Sequence, residues 1–132
     1  MSENTAQPLS GRILVVDDLA DSAMSLALVC ELYGAEAKAA SDGREALALA
    51  AEFRPDVVLM DISMPNMDGY EAARRLRAQH WEKKPVLIAL TGWGRPGDID
   101  DARAAGFDGH LLKPVEAEAL IALITQLRSA AG

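Results

Sequence analysis

The chain has 132 residues, half of them hydrophobic, which is enough for one domain with a proper core and too few for two. Its formal net charge of −7 argues against general affinity for nucleic acid, which depends on clustered Lys and Arg. No apolar run approaches the roughly 20 residues needed to cross a bilayer, Met1 to Gln7 lack the basic and apolar regions of a signal peptide, and the single Cys30 cannot form an internal disulfide, so a soluble, cytoplasmic domain with no membrane partner is expected.

Residues 1–11 are polar, carry Pro8 and Gly11 and show no periodicity; they read as a mobile tail, with the domain over 12–129 and a short tail at 130–132. Arg12-Ile13-Leu14-Val15-Val16 is a strand-like run that ends in two carboxylates, Asp17 and Asp18. Asp21 to Tyr33 reads as a helix in which Leu28, Val29 and Leu32 recur at helical spacing and Gly34 supplies the stop, with Cys30 a small residue near the core. Glu36 to Ala40, built of Glu, Ala and Lys, is a weak strand suited to a sheet edge. Asp42 and Glu45 stand at capping-box spacing at the start of a helix that runs to about Phe53. Arg54-Pro55-Asp56 then breaks the chain before Val57-Val58-Leu59-Met60-Asp61.

After a loop built on Pro65, Asn66 and Gly69, a helix carries Tyr70, Ala73 and Leu76 on one face and ends near His80, which reads as a solvated residue at a helix end. Its Arg74, Arg75 and Arg77 read as a solvated basic face. Pro85 sets off a run from Val86 to Leu90 that ends in Thr91. The helix predicted over Gly97 to Ala105 opens on Asp98, Asp100 and Asp101 and closes on Arg103 and Gly106, the charge order that its dipole favours. Its large apolar residues are only Ile99 and, just beyond, Phe107, so it should be the least stable helix of the domain. Gly109-His110-Leu111-Leu112 ends in Lys113-Pro114. A last helix, about Glu116 to Ser129, aligns Leu120, Leu123, Ile124 and Leu127, with Ile121 at the stripe's edge as a partner contact if exposed.

Five strands alternating with five helices specify an α/β doubly wound sheet with right-handed crossovers. Ligands bind such sheets outside the carboxyl ends of the strands, where Asp17, Asp18, Asp61, Thr91 and Lys113 all stand. Asp61 ends a run that both faces of the sheet bury, and a carboxylate there requires a partner. Three clustered carboxylates repel one another unless a cation joins them, and all-oxygen ligation suits Mg²⁺, with bonds of about 2.1 Å. The lysine and the hydroxyl then face an anion bound to that metal, an arrangement that describes phosphoryl transfer with a carboxylate as nucleophile. Asp61, alone on the central strand, is the candidate nucleophile.

Ile13-Leu14-Val15-Val16-Asp17-Asp18, Asp61-Ile62-Ser63-Met64-Pro65-Asn66-Met67-Asp68-Gly69, Ala89-Leu90-Thr91-Gly92 and Lys113-Pro114 occur in this order at strand ends. Over roughly Gly11 to Arg128 the chain thereby resembles the receiver domain of bacterial two-component response regulators. The resemblance implies a flavodoxin-like (βα)5 fold of strand order 2-1-3-4-5. It implies that Asp61 accepts phosphate from a histidine kinase or a histidine phosphotransfer protein, and that Asp18 and Asp61 hold Mg²⁺ together with the backbone carbonyl of Ser63. Asp17 is implied to act through water, and Thr91 and Lys113 to contact the phosphoryl oxygens. By the same resemblance the chain is a regulatory phosphoacceptor rather than an enzyme with external turnover. It is expected to be a monomer or weak dimer that signals to a downstream protein target. The Lys113–Pro114 bond is expected to be cis, and Thr91-Gly92-Trp93-Gly94 resembles receivers attached to hybrid histidine kinases.

A haloacid-dehalogenase-type phosphatase shares the Asp nucleophile and Mg²⁺ but needs a second Asp two residues on, where this chain has Ser63. A nucleotide- or flavin-binding module would place a Gly-rich loop after the first strand, and Asp17-Asp18-Leu19-Ala20 has none. A receiver that signals without phosphate is a third reading, against which the intact acid, Thr and Lys set stands. Leu19 comes after the acid pair where the family often has a polar residue. Ser63 and Trp93 occupy positions that flank the phosphate in that family, and by the resemblance the Trp93 ring is expected to hinder the attacking water. His110, three residues before Lys113, takes the place often filled by a switching aromatic and with Thr91 forms the candidate switch.

Overall fold

A computed structural model of the chain describes residues 9–62, 69–92 and 96–131. Strands and helices alternate throughout: β1 (Arg12–Val16), α1 (Ala20–Leu32), β2 (Glu36–Ala40), α2 (Gly43–Phe53), β3 (Val57–Asp61), α3 (Gly69–Ala78), β4 (Val86–Thr91), α4 (Pro96–Ala105), β5 (Gly109–Leu112) and α5 (Ala117–Ala131). The five strands pair in parallel in the order β2-β1-β3-β4-β5. The order turns back between β1 and β3, which opens a crevice at their carboxyl ends.

Alternation along the strands divides the core in two. Ile13, Val15, Val57, Leu59, Ile88 and Leu90 pack with the inner faces of α1 and α5, whereas Leu14, Val16, Val58, Met60, Leu87 and Ala89 pack with α2, α3 and α4. The central β3 is buried along its whole length, and β2 lies at an edge with alternating exposure, as its Glu and Lys content predicted. None of the described helices is long and apolar enough to cross a membrane.

The chain joins the fold earlier than the polarity of residues 1–11 suggested. Leu9 is buried, and its N–H donates to the Tyr33 carbonyl at 2.8 Å. Gly11 adopts a φ of 82°, and a Cβ there would collide with the Asp56 carboxylate that accepts the Arg12 N–H at 2.8 Å. Residues 1–8 lie outside the described part.

Helix α1 presents a different face from the one its leucines suggested. Ala23, Ala27 and Cys30 are buried, while Leu28 and Leu32 are 58% and 78% exposed. The run Leu26-Ala27-Leu28-Val29-Cys30 is apolar all round, so spacing alone does not select a face. Packing selects the small side chains, which let the helix sit close against the sheet. In α5, Leu120 and Ile124 are buried as expected, and Ile121 is partly buried against the same core rather than free on the surface.

Capping at α2 agrees with the sequence pattern. The Asp42 carboxylate accepts the Glu45 N–H at 2.8 Å, and Glu45 reaches back to the Ser41 N–H at 2.6 Å. Among the described side chains of α4, Ala102 and Ala105 are the buried ones, and Ile99 is partly exposed.

The Arg74, Arg75 and Arg77 group separates by helical phase. Arg74 and Arg75 are exposed beside Glu71, at 4.0 and 2.8 Å. Arg77 instead turns beneath β4, where its guanidinium donates to the Gly106 and Pro85 carbonyls at 2.9 Å each and to the Asp108 carboxylate at 2.6 Å. Asp108 also accepts the Leu87 N–H at 2.8 Å, so the arginine ties α3 to the beginnings of β4 and β5.

Gly69, the first residue of α3, meets the end of β3 so closely that a Cβ would lie 2.6 Å from the Ile62 Cα and 2.8 Å from the Asp61 carbonyl oxygen. Backbone on that side cannot yield as a flexible side chain would. Gly69→Ala should therefore lower stability by about 1–3 kcal/mol, read from the denaturant midpoint. An unchanged midpoint would show that the loop absorbs the methyl group.

Candidate functional site

Four strands each bring polar groups to one edge. Asp17 comes directly after β1, Asp61 and Thr91 are the last residues of β3 and β4, and Lys113 comes directly after β5. Asp17 and Asp61 are each 3% exposed and Thr91 5%, while Asp18 is exposed. Such burial of charge requires compensation. Backbone holds Asp17: its N–H donates to the Ala40 carbonyl at 3.1 Å, and its Oδ1 accepts the Leu19 N–H at 3.0 Å.

Lys113 closes the site. Its backbone N–H donates to the Thr91 carbonyl at 2.8 Å, and the next peptide bond, to Pro114, is cis, as expected. The ammonium donates to Asp61 Oδ2 at 2.8 Å and lies 3.4 Å from Asp17 Oδ2. Partial burial pulls the Lys113 pKa down, but the hydrogen bond and charge of Asp61, joined by those of Asp17, more than offset this and leave it raised above the ordinary lysine value.

Asp17, Asp18 and Asp61 each offer a carboxylate oxygen within 4.8 Å of the others. Around an octahedral ion with 2.1 Å bonds, adjacent ligands lie about 3.0 Å apart and opposite ones about 4.2 Å, so small side-chain movements would close this cluster on Mg²⁺. The donors are all hard oxygens, and the Lys113 ammonium balances only part of their charge. The residues fit the ion.

Ser63 and Trp93 lie outside the described residues. His110, on β5 opposite Ala89, is half-buried and shares a small gap between α4 and the sheet with Thr91, Ile62 and Ile99. A groove of about 620 Å³ adjoins the acids between α1 and the β5–α5 connection, lined by Leu19, Ser22, Leu26 and Val115 among others. Sequence reasoning did not find this groove, since its two walls lie far apart in the chain.

Residues 13–125 match the sequence model of the response regulator receiver domain. The chain belongs to the response regulator receiver family. Among relatives of this receiver, the regulatory protein AtoC of Escherichia coli is 38% identical over 109 residues, which cover 83% of the chain and 23% of AtoC. The chain thus spans under a quarter of that relative's length. Its fold is similar to that of the chemotaxis protein CheY4 of Vibrio cholerae, with a TM-score of 0.84 and 32% identity over 89% of this chain and 98% of that one. It is also similar to the receiver domain of the sensor histidine kinase PA1611 from Pseudomonas aeruginosa, with a TM-score of 0.79 and 30% identity over 89% and 97% of the two chains. That structure has a magnesium ion coordinated in its active-site cleft. This receiver is therefore a signalling domain of the two-component type, with an acidic pocket at the carboxyl edge of its sheet.

Proposed function

We propose that this receiver takes a phosphoryl group onto Asp61 from the phosphohistidine of a histidine kinase or a histidine phosphotransfer protein, and that the phosphate switches a protein-binding surface. The observation that carries this reading is the buried Asp61 carboxylate held at 2.8 Å by Lys113 within a cluster of three acids. In the transfer, an Asp61 oxygen forms the new P–O bond as the donor's P–N bond breaks and its electron pair returns to the imidazole. Lys113 shifts its hydrogen bond from the carboxylate to a phosphoryl oxygen, and the Thr91 hydroxyl donates to a second. Asp18 and Asp61 would hold Mg²⁺, with the Ser63 carbonyl as the family resemblance implies, and Asp17 would act through water. When bound, the ion supplies positive charge to the phosphoryl oxygens. The groove between α1 and the β5–α5 connection gives the histidine-bearing partner an apolar seat beside Asp17 and Lys113.

The output runs the other way. Thr91 moves toward the phosphate, His110 shares its gap beneath α4, and α4, whose buried side chains among those described are Ala102 and Ala105, shifts in response. The downstream partner then reads the face of α4, β5 and α5. Intact-mass measurement with acetyl phosphate tests the transfer: the protein should gain one phosphoryl group with Mg²⁺ and none in EDTA. Equal uptake in EDTA would contradict the role of the metal, and no uptake in either would contradict the reading.

A further inference from the structure

The amino ends of β4 and β5 lie at the opposite edge of the sheet from Asp61. There, in a chain of net charge −7, Arg77, Lys83, Lys84 and Arg103 line a single cavity of about 640 Å³ against one carboxylate, Asp108. That carboxylate is already engaged by Arg77 and by the Leu87 N–H. Among the described residues no carboxylate lies within ion-pair distance of Lys83, Lys84 or Arg103. These three cations share a concave surface, which concentrates their field.

The wall formed by Arg77 and Gly106 is firmly built. Arg77 is fixed by its three hydrogen bonds, and Gly106, at a φ of 111°, leaves room for it, since a Cβ there would come within 2.8 Å of the arginine Cγ. Val86, Phe107 and Leu127 add apolar lining. The volume falls within the roughly 300–1,000 Å³ typical of small-molecule sites. Two ammonium groups and a guanidinium able to grip two phosphate oxygens at once suit a compact polyanion, and the apolar lining suits a planar body attached to it.

We propose that this cavity binds a nucleoside polyphosphate, its phosphates against Lys83, Lys84 and Arg103 and its base over Val86, Phe107 and Leu127. Arg103 sits in the last turn of α4, so an occupant would bear directly on a helix that only lightly holds the core.

Amide chemical shifts of the full chain, recorded in EDTA at matched ionic strength so that the acid cluster holds no metal-bound nucleotide, test this. ATP should shift the amides of Lys83, Lys84, Val86 and Leu87 and of residues 103–108 saturably, tripolyphosphate should bind at least about fivefold more weakly, and adenosine more weakly again. The exposed pair Lys83→Gln with Arg103→Gln should weaken ATP binding about tenfold or more while phosphate uptake on Asp61 stays unchanged. Shifts no larger than those from sodium chloride would overturn the proposal. So would tripolyphosphate binding as tightly as ATP, or undiminished binding by the double variant.

Discussion

Asp61→Asn is expected to gain no phosphoryl group from any donor that labels the wild type, as read by intact mass. The carboxamide keeps the shape of a side chain that is 3% exposed, but its nitrogen is no nucleophile and its oxygen carries no full charge. The loss is not one of folding, because Lys113 still faces Asp17 at 3.4 Å. Removing one of three carboxylates clustered within 4.8 Å relieves their repulsion, so the metal-free variant should melt above the wild type and gain less from added Mg²⁺. Phosphate uptake at the wild-type rate would move the nucleophile to another residue.

Lys113→Ala should slow phosphate uptake about 10²–10³-fold, the usual cost of removing one donor aimed at developing charge. It should also change the response to alkali. The Lys113 pKa is raised in the folded protein, so its contribution to stability is fully present below the unfolded lysine value of about 10.4 and is lost as pH rises through the higher folded value. Melting temperatures measured across the alkaline range should therefore fall less steeply for the variant than for the wild type. Parallel curves would show that the Lys113 pairing with Asp61 contributes nothing to the folded state in solution.

The carboxyl edge of the sheet was legible because its signal is local. A carboxylate at the end of an apolar run, as at Asp61, and a lysine before a proline, as at Lys113, each conflict with burial or helix propagation, and their positions at strand ends bring them together. Other features were not legible, each for a physical reason. The face of α1 was misread because its apolar residues surround the axis, and the choice of Ala23, Ala27 and Cys30 is made by how near the helix lies to the sheet. Arg77 looked like Arg74 and Arg75, and what distinguishes it is Asp108, 31 residues away. Leu9 is one apolar residue in a polar stretch, and only its place beside Tyr33 shows that it belongs to the fold. The basic cavity combines residues from α3, α4 and the approach to β4, which no spacing connects.

Borohydride reduction and then peptide mass analysis test the central claim most directly, because hydride converts an aspartyl phosphate to homoserine at the residue that carried it. After labelling with Mg²⁺ and acetyl phosphate, the account predicts homoserine at position 61 and at no other. Homoserine at position 17 or 18, or phosphate that survives reduction on a histidine or serine, would contradict it.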